Sequence, residues 1–431
     1  MVASVVPKRG TLGDKKILTG LGGGVALEWY DWNIYGLMAS FLAPHFFPSD
    51  NPVNSTLAAL AVFATGFVTR PLGAVVLGPL ADRVSHKKVL ILCVSIMAVT
   101  TLAITFLPTY DQIGVTAGFL LLALRLIQGL VTGAEAPVAN TVAMELAPEG
   151  NRAQYLGVVS GSFVQLGILI SMFASFLTSA AVGSDAMHEW GWRIPFFIGT
   201  VLAVAIVWLR RTLPETLKKG ESTEDAQHAT TGGVWREIWE RRLALLAIVF
   251  VVGAAQVANY TWNTGLPNMA NSVFDENSTL VFAIISGLGV MLVFGGPVVG
   301  RFADRRRASR VFVFCRLLVI PAMGLTLLYT RPGLGVFALV VLLGGIVVCL
   351  NMGLVNFTAT SLMPLSCRAT GVGLGFALGV MLFGGTASYI MIWLQQQDLY
   401  WLFGVYGGGV AALSVVLYLV AKKKGHVHVD D

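Results

Sequence analysis

Charged side chains are scarce in this sequence. Asp, Glu, Lys and Arg make up 12% of its 431 residues and hydrophobic residues 55%, whereas soluble domains carry about 25% charged residues. A chain so poor in charge cannot cover a water-facing surface, which excludes a soluble enzyme and leaves lipid to do the covering. Cysteine is scarce too. Cys93, Cys315, Cys349 and Cys367 fall in or beside apolar runs without paired spacing, so neither a disulfide framework nor a zinc site is expected. The phosphate-binding pattern G-x-x-x-x-G-K-[ST] is missing, as are HExxH and G-x-S-x-G. An ATP-driven motor, a metalloprotease and a serine hydrolase are thereby excluded. The six histidines are scattered, with only His426 and His428 close together. No enzyme activity and no cofactor are expected.

Long apolar runs dominate what is present. A membrane-crossing helix needs about 20 mainly apolar residues. Such runs fall at 17–45, 57–81, 89–108, 113–147, 152–182 and 191–212, then at 242–271, 279–303, 310–330, 334–363, 368–396 and 399–421. The fold class expected is all-α and membrane-embedded, twelve transmembrane helices in two pseudo-symmetric six-helix bundles. The first run carries Glu28 and Asp31 with no small-residue cleavage site after it, so it is not read as a signal peptide. A polar stretch containing "KKGESTEDAQHATTGG" separates the two sets. It divides the chain into an N-terminal bundle (1–213), a cytoplasmic linker (214–241) with a short surface helix near "WREIWERR", and a C-terminal bundle with its tail (242–431). The 48 glycines would weaken soluble helices, but between membrane helices they allow close backbone approach.

Charge placement sets the topology. Lys8, Arg9, Lys15, Lys16, Arg83, Lys87, Lys88, the linker residues Arg210, Arg211, Lys218 and Lys219, Arg305 to Arg307, and Lys422 to Lys424 occupy one set of loops. The alternate loops hold Asp50, Asp111, Asp185, Glu189, Asp275, Glu276 and Asp398. Basic loops face the cytoplasm, which places both termini there, in the plasma membrane of a bacterium. The net charge of +6 is thus a membrane-topology signal, and no nucleic-acid partner is expected.

The two sets repeat each other. "GAVVLGPLADR" (73–83) aligns with "GGPVVGRFADR" (295–305), and Pro148, Arg152, Ala153 and Gly157 align with Pro364, Arg368, Ala369 and Gly373. A parallel repeat of six helices marks a rocking transporter with its solute site between the halves near mid-membrane.

At these residues the chain resembles the major facilitator superfamily. "GPLADRVSHKK" is similar to its loop motif G-x-x-x-D-R-x-G-R-K, with Ser85 and His86 where Gly and Arg are usual. "EWYDWNIYG" (Glu28 to Gly36), "RPLGA", "RLIQGLVTGAE", "WGWRIPFFIG" and "LPET" resemble the metabolite:proton symporter family within it. Asn33 stands where an aromatic residue is usual. The resemblance implies proton-coupled uptake of an organic acid such as 2-oxoglutarate, citrate or shikimate, or of a zwitterion such as proline or betaine. It also implies a cytoplasmic latch built from Asp82, Arg83, Asp304 and Arg305, with Glu145, Arg152 and Arg368 around the loops after the fourth helix of each half. A proton-antiport exporter and a transporter-like sensor are the competing readings. The expected partners are one small organic anion, with di- and tricarboxylates among the candidates, or a zwitterion, together with the lipid bilayer; the chain is read as a monomer.

Charges inside the membrane carry the mechanism. Each costs about 2.5–3.5 kcal/mol at the bilayer centre, so it needs a partner or a wet cavity. At 1.5 Å per residue, Glu28, Asp31, Arg70 and Arg125 all fall in the middle third. Glu28 and Asp31 are three apart and share a helix face. Asp31 is read as the proton-titrating group and Arg125 as its partner, with Glu135 or Glu28 as alternative carriers. Structural ion pairs bracing the helices are the bland alternative. Arg70 and Arg125 are candidates for binding a carboxylate, with Asn33, Tyr35 and Gln165 nearby. Gln256, Asn259, Tyr260 and Asn263 recur at helical spacing as one polar stripe, joined by Asn351 and Asn356. Arg316 is expected to snorkel to the cytoplasm.

Overall fold

In lipid a backbone must satisfy its N–H and C=O groups internally, and long apolar runs do so as helices. The computed structural model describes residues 12–146, 158–213, 231–304, 308–364, 367–425 and 427, and every regular element among them is helical. The twelve long elements are α1 (Leu12–Phe46), α2 (Pro52–Val68 continued by Arg70–Val84), α3 (His86–Thr105), α4 (Thr116–Leu146), α5 (Phe163–Val182) and α6 (Arg193–Arg210). The second set is α7 (Arg242–Tyr260, then Leu266–Ser272), α8 (Ser278–Asp304), α9 (Ala308–Leu317 and Val319–Leu325), α10 (Leu334–Ser361), α11 (Arg368–Gly379, then Gly385–Gln396) and α12 (Trp401–Lys423). The expected surface helix forms at Thr231–Glu240, with an exposed pair between Arg236 and Glu240 at 3.0 Å.

Among the described residues eleven helices are long and apolar enough to cross a membrane. The twelfth, α1, has 35 residues and carries the acids Glu28 and Asp31. It crosses because protein surrounds it: from Leu21 to Ala43 every residue except Gly23 is buried. With twelve crossings the start of α1 and the end of α12 lie at one end of the bundle, the terminal end; the opposite end is the distal end.

Inside the first set α1 packs on α5, α2 on α4, and α3 on α6; in the second, α7 packs on α11 and α12, and α8 on α10. The sets meet where α5 lies on α8 and α2 on α11. Among the described residues four helices are interrupted, one of them α9 at Leu318. In α2 the break is at Thr69, whose hydroxyl donates to the carbonyls of Gly66 (3.1 Å) and Leu126 (2.9 Å). Pro71, just beyond it, has no N–H to give to the ladder. In α7 and α11 π turns at Thr261–Gly265 and Val380–Gly384 join the two pieces.

The α2–α4 contact decides where Arg70 sits. A Cβ at Gly133 would overlap the Arg70 carbonyl oxygen, and one at Gly129 would overlap the Gly66 carbonyl. Only glycine, at this four-residue spacing, permits such an approach of backbones. Gly133→Ala is therefore expected to force α2 away from α4 at an overpacking cost of about 1–3 kcal/mol. A lowered melting temperature in detergent, together with weaker solute binding, checks this; an unchanged protein would mean that the helices slide freely.

The sequence departure at Ser85 is absorbed locally. Ser85 lies between α2 and α3 with extended backbone (φ 174°), and its hydroxyl accepts from Lys88 N–H at 2.9 Å, capping α3. A serine can therefore serve at this turn in place of glycine.

Candidate functional site

The spacing of Glu28 and Asp31 puts both acids on one face of α1, and the structure gives each a guanidinium from a different helix. Asp31 of α1 is met by two other helices at once. Arg125 Nη1 of α4 lies 3.2 Å from Asp31 Oδ2 and donates to Gln128 Oε1 at 2.7 Å. Thr101 of α3 donates to Asp31 Oδ1 at 2.6 Å and accepts from Gln128 Nε2 at 3.0 Å. Arg125, Asp31, Gln128 and Thr101 are all buried. Arg125 Nε and Nη2 are left without partners.

The second pair is looser. Arg70 Nη2 of α2 lies 3.4 Å from Glu28 Oε1, and Glu28 Oε2 has no partner. Arg70 is 13% exposed while the Glu28, Asp31 and Arg125 side chains are at most 3% exposed. Both guanidinia rest on one indole, Arg70 Cζ 4.2 Å and Arg125 Cζ 4.3 Å from the Trp32 ring centroid. Arg125 is also 4.3 Å from the Tyr35 ring, and Arg70 4.9 Å from the Phe67 ring. Cation–π contact of this kind contributes about 2 kcal/mol or more when desolvated. Trp32 was not singled out by sequence reasoning. The cue lies in its own motif, an aromatic residue one step after the acid.

The second set closes on this cluster through Tyr260, whose ring packs edge-on against Phe63 (5.6 Å) and Phe67 (5.7 Å). Its buried hydroxyl has no partner. Along the α7 stripe Asn263 donates to Asn259 Oδ1 at 2.7 Å, and Asn259 to Gln256 Oε1 at 3.4 Å. These side chains form one hydrogen-bonded row along α7, and Asn263 Oδ1 remains unpartnered at its distal end.

Most other candidates hydrogen-bond outside these two pairs. Asn33 donates to Ser171 of α5 at 2.7 Å, joining two helices of one set. Tyr35 donates its hydroxyl to the Ala59 carbonyl at 3.3 Å. Gln165 Oε1 is buried and unpartnered. Asn351 donates to the carbonyls of Cys315 and Val347, each at 2.9 Å, and Asn356 is exposed. Glu135 pairs with Arg210 Nη2 at 2.8 Å, away from Asp31. Arg210 also donates to the carbonyls of Leu90 (2.7 Å) and Gly20 (3.2 Å).

Two arginines lie elsewhere than expected. Arg210, read as a linker charge, is fully buried, because the last turn of α6 inserts between α1, α3 and α4. Arg316, expected to snorkel to the surface, is 0% exposed and donates to the Val251 carbonyl at 2.8 Å. That backbone carbonyl gives the guanidinium a partner inside the protein. Of the latch candidates, Asp82 and Arg83 fall on the last turn of α2, Glu145 near the end of α4, Asp304 at the end of α8 and Arg368 at the start of α11. Their side chains, and all of Arg152 and Arg305, lie outside what the structure describes.

At the distal end the two sets are stitched together. Ser179 and Thr279 share a hydrogen bond at 2.8 Å, and Gln396 donates to Asn54 at 2.6 Å. Phe41 lies against Phe282, ring centroids 5.7 Å apart.

Two repeated sets of membrane helices, with acid–guanidinium pairs buried where they meet, define a solute transporter of the alternating-access type. Comparison with known proteins agrees. The chain belongs to the Major Facilitator Superfamily, whose profile matches residues 21–376. It is 29% identical over 418 residues to the alpha-ketoglutarate permease of Escherichia coli (strain K12), covering 95% of this chain and 94% of that one. It is 30% identical over 366 residues to a citrate-proton symporter of Klebsiella pneumoniae, covering 84% and 82%. With the proline/betaine transporter of Escherichia coli (strain K12) the identity is 29% over 402 residues, covering 89% and 78%. Among solved structures, a crystal structure of a D-xylose-proton symporter superposes with a TM-score of 0.75 at 14% identity, over 93% of this chain and 97% of that one. That likeness establishes the shared fold.

Proposed function

We propose that this protein is a proton-coupled symporter that takes up a small organic acid across a bacterial plasma membrane. The carrying observation is the double acid–guanidinium cluster on Trp32, in which Arg70 alone keeps some exposure. Both termini face the cytoplasm, the bundles divide at residues 214–241, and the distal end is extracellular. A proton on Asp31 cancels its attraction for Arg125, whose Nε and Nη2 already lack partners. Arg125 is then free to turn toward an anion. The solute carboxylate docks on Arg70, in place of the single long contact that Glu28 now makes. Tyr260 closes over it from the second set, and the proton on Asp31 removes one negative charge from the complex that is carried through the rocking step. The relatives that transport alpha-ketoglutarate and citrate support an acid with more than one carboxylate.

A second reading has one observation of its own. Glu28 and the Trp32 face stand beside Arg70, an arrangement that suits a zwitterion with its cationic end toward Glu28 and its carboxylate on Arg70. The proline/betaine relative fits this version. A thermal-shift panel of dicarboxylates, tricarboxylates and betaines on purified protein separates the two.

Arg70→Gln is expected to weaken carboxylate binding by the worth of one charged hydrogen bond, about 1.5–3 kcal/mol, or roughly ten- to a hundredfold in Kd. Arg70→Lys should recover only part, because lysine lacks the planar fork that stacks on Trp32. Calorimetric titration reads both. Undiminished affinity in Arg70→Gln would move the docking point to Arg125.

A further inference from the structure

One contact between the two halves grips a helix by its backbone. In α1 the Ser40 N–H and the Gly36 carbonyl are the two groups of a single helical rung, four residues apart. Both are engaged by the same side chain from the other half. Asn268 Oδ1 accepts from Ser40 N–H at 2.9 Å, and Asn268 Nδ2 donates to the Gly36 carbonyl at 2.6 Å. The same Nδ2 donates to the Thr264 carbonyl of its own helix at 2.8 Å. These three bonds assign the amide's oxygen and nitrogen, since the reversed amide would face carbonyls with an oxygen. Asn268 is fully buried.

The surroundings are built for close approach. A Cβ at Gly36 would come within 2.9 Å of Thr264 Cγ2 and 3.0 Å of Thr264 Oγ1, so a side chain here would push α7 off α1. Asn268 lies on the short distal piece of α7, directly after Pro267 and beyond the π turn at Thr261–Gly265. Pro267 withholds an N–H from the ladder and π turns are local irregularities, so this piece is loosely tied to the rest of α7. On the other side of the contact, Gly36 is one turn beyond Trp32 and adjacent to Tyr35, the rings that carry Arg125. Tyr260, at the end of the long piece of α7, touches Phe63 and Phe67 of the same site.

We propose that Asn268 is the positioning residue of the distal gate: its amide clamps the Gly36–Ser40 rung of α1 when the gate is shut and releases it when the halves part. The device is bistable by construction. After release the two backbone groups still have each other, so opening strands no buried backbone polar group in α1. The amide of Asn268 is then hydrated in the opened vestibule. Because the clamped rung lies one turn from the rings under Arg125, rearrangement of that pair on solute or proton binding is transmitted along α1 to the clamp. This inference rests on the alternating-access reading and is independent of which solute is carried.

The test is a distance measurement across the distal end in the full-length protein in nanodiscs. Spin labels are placed by Ser49→Cys and Asn277→Cys, exposed positions in distal loops of opposite halves, after replacement of the four buried native cysteines. The parent should show mainly the short, closed distance. Asn268→Ala should raise the long-distance population several-fold. Asn268→Asp, nearly isosteric and so the safer variant for folding, should do so as well, because its second oxygen faces the Gly36 and Thr264 carbonyls. A distance distribution identical to the parent's in either folded variant overturns the proposal. Since no solute is added, failure here is distinguishable from failure of the organic-acid assignment, which the ligand panel reads.

Discussion

Replacing Asp31 by asparagine is expected to abolish proton-driven accumulation while leaving solute exchange intact. The asparagine keeps the size of the carboxyl and an oxygen able to accept the Thr101 hydroxyl. It removes the negative charge that holds Arg125 Nη1 at 3.2 Å, fixing the site in the shape it has with the proton on. A transporter fixed in that shape can still bind and exchange solute across the membrane, but it has no group with which to take up and release the proton. In proteoliposomes with an inward gradient of about one pH unit, each coupled proton is worth about 1.4 kcal/mol, or roughly tenfold accumulation. The parent protein should approach that ratio and Asp31→Asn should settle near equality, with counterflow of labelled solute preserved. Accumulation at the parent's level would take Asp31 out of the mechanism and leave Glu28, with its unpartnered Oε2, as the remaining carboxyl of the cluster.

The Glu135–Arg210 pair should behave in the opposite way, as a brace rather than a coupling element. Both side chains are 0% exposed, and Arg210 ties α6 to α4 through Glu135, to α3 through the Leu90 carbonyl and to α1 through the Gly20 carbonyl. Removing one member leaves an uncompensated buried charge, at a cost of about 3–5 kcal/mol. Arg210→Met and Glu135→Leu are each expected to fall sharply in folded yield and melting temperature. The double variant should recover much of that loss, since apolar residues of similar volume can replace a buried pair at little net cost. A double-mutant cycle on thermal stability measures the coupling. If the stable double variant also exchanges solute but loses proton-driven accumulation, then Glu135 is a proton carrier after all.

The same pair shows why some of the site was legible in the sequence and some was not. Intramembrane charge is costly, so Glu28, Asp31, Arg70 and Arg125 announced themselves by depth alone, and the i, i+3 spacing placed the two acids on one face. Arg210 stands a few residues from an obvious polar linker, where hydropathy treats any arginine as a topology charge. Only the packing of α6 against α1 and α3 shows that it points inward. Arg316 was misplaced for the same reason: near a helix end, length along the chain says how deep a residue is attached, not where its long side chain goes. Trp32, which carries both guanidinia, was hidden among the many aromatic residues of an apolar helix.

What the sequence determined by itself was the layout: twelve membrane helices in two repeated sets, which ends of the helices carry the basic loops, and which charges are too deep to be incidental. Those follow from one-dimensional quantities, since run length, charge spacing and repeat register are set by the bilayer's thickness and the helix's rise. Tertiary structure decided who partners whom. Asp31 with Arg125, Glu28 with Arg70, Glu135 with Arg210, and the Asn268 amide on the Gly36–Ser40 rung depend on which helix faces approach one another. That is fixed by contacts such as Gly133 on the Arg70 carbonyl. Short-range forces between residues distant in sequence select those faces, and no periodicity along a single helix encodes them.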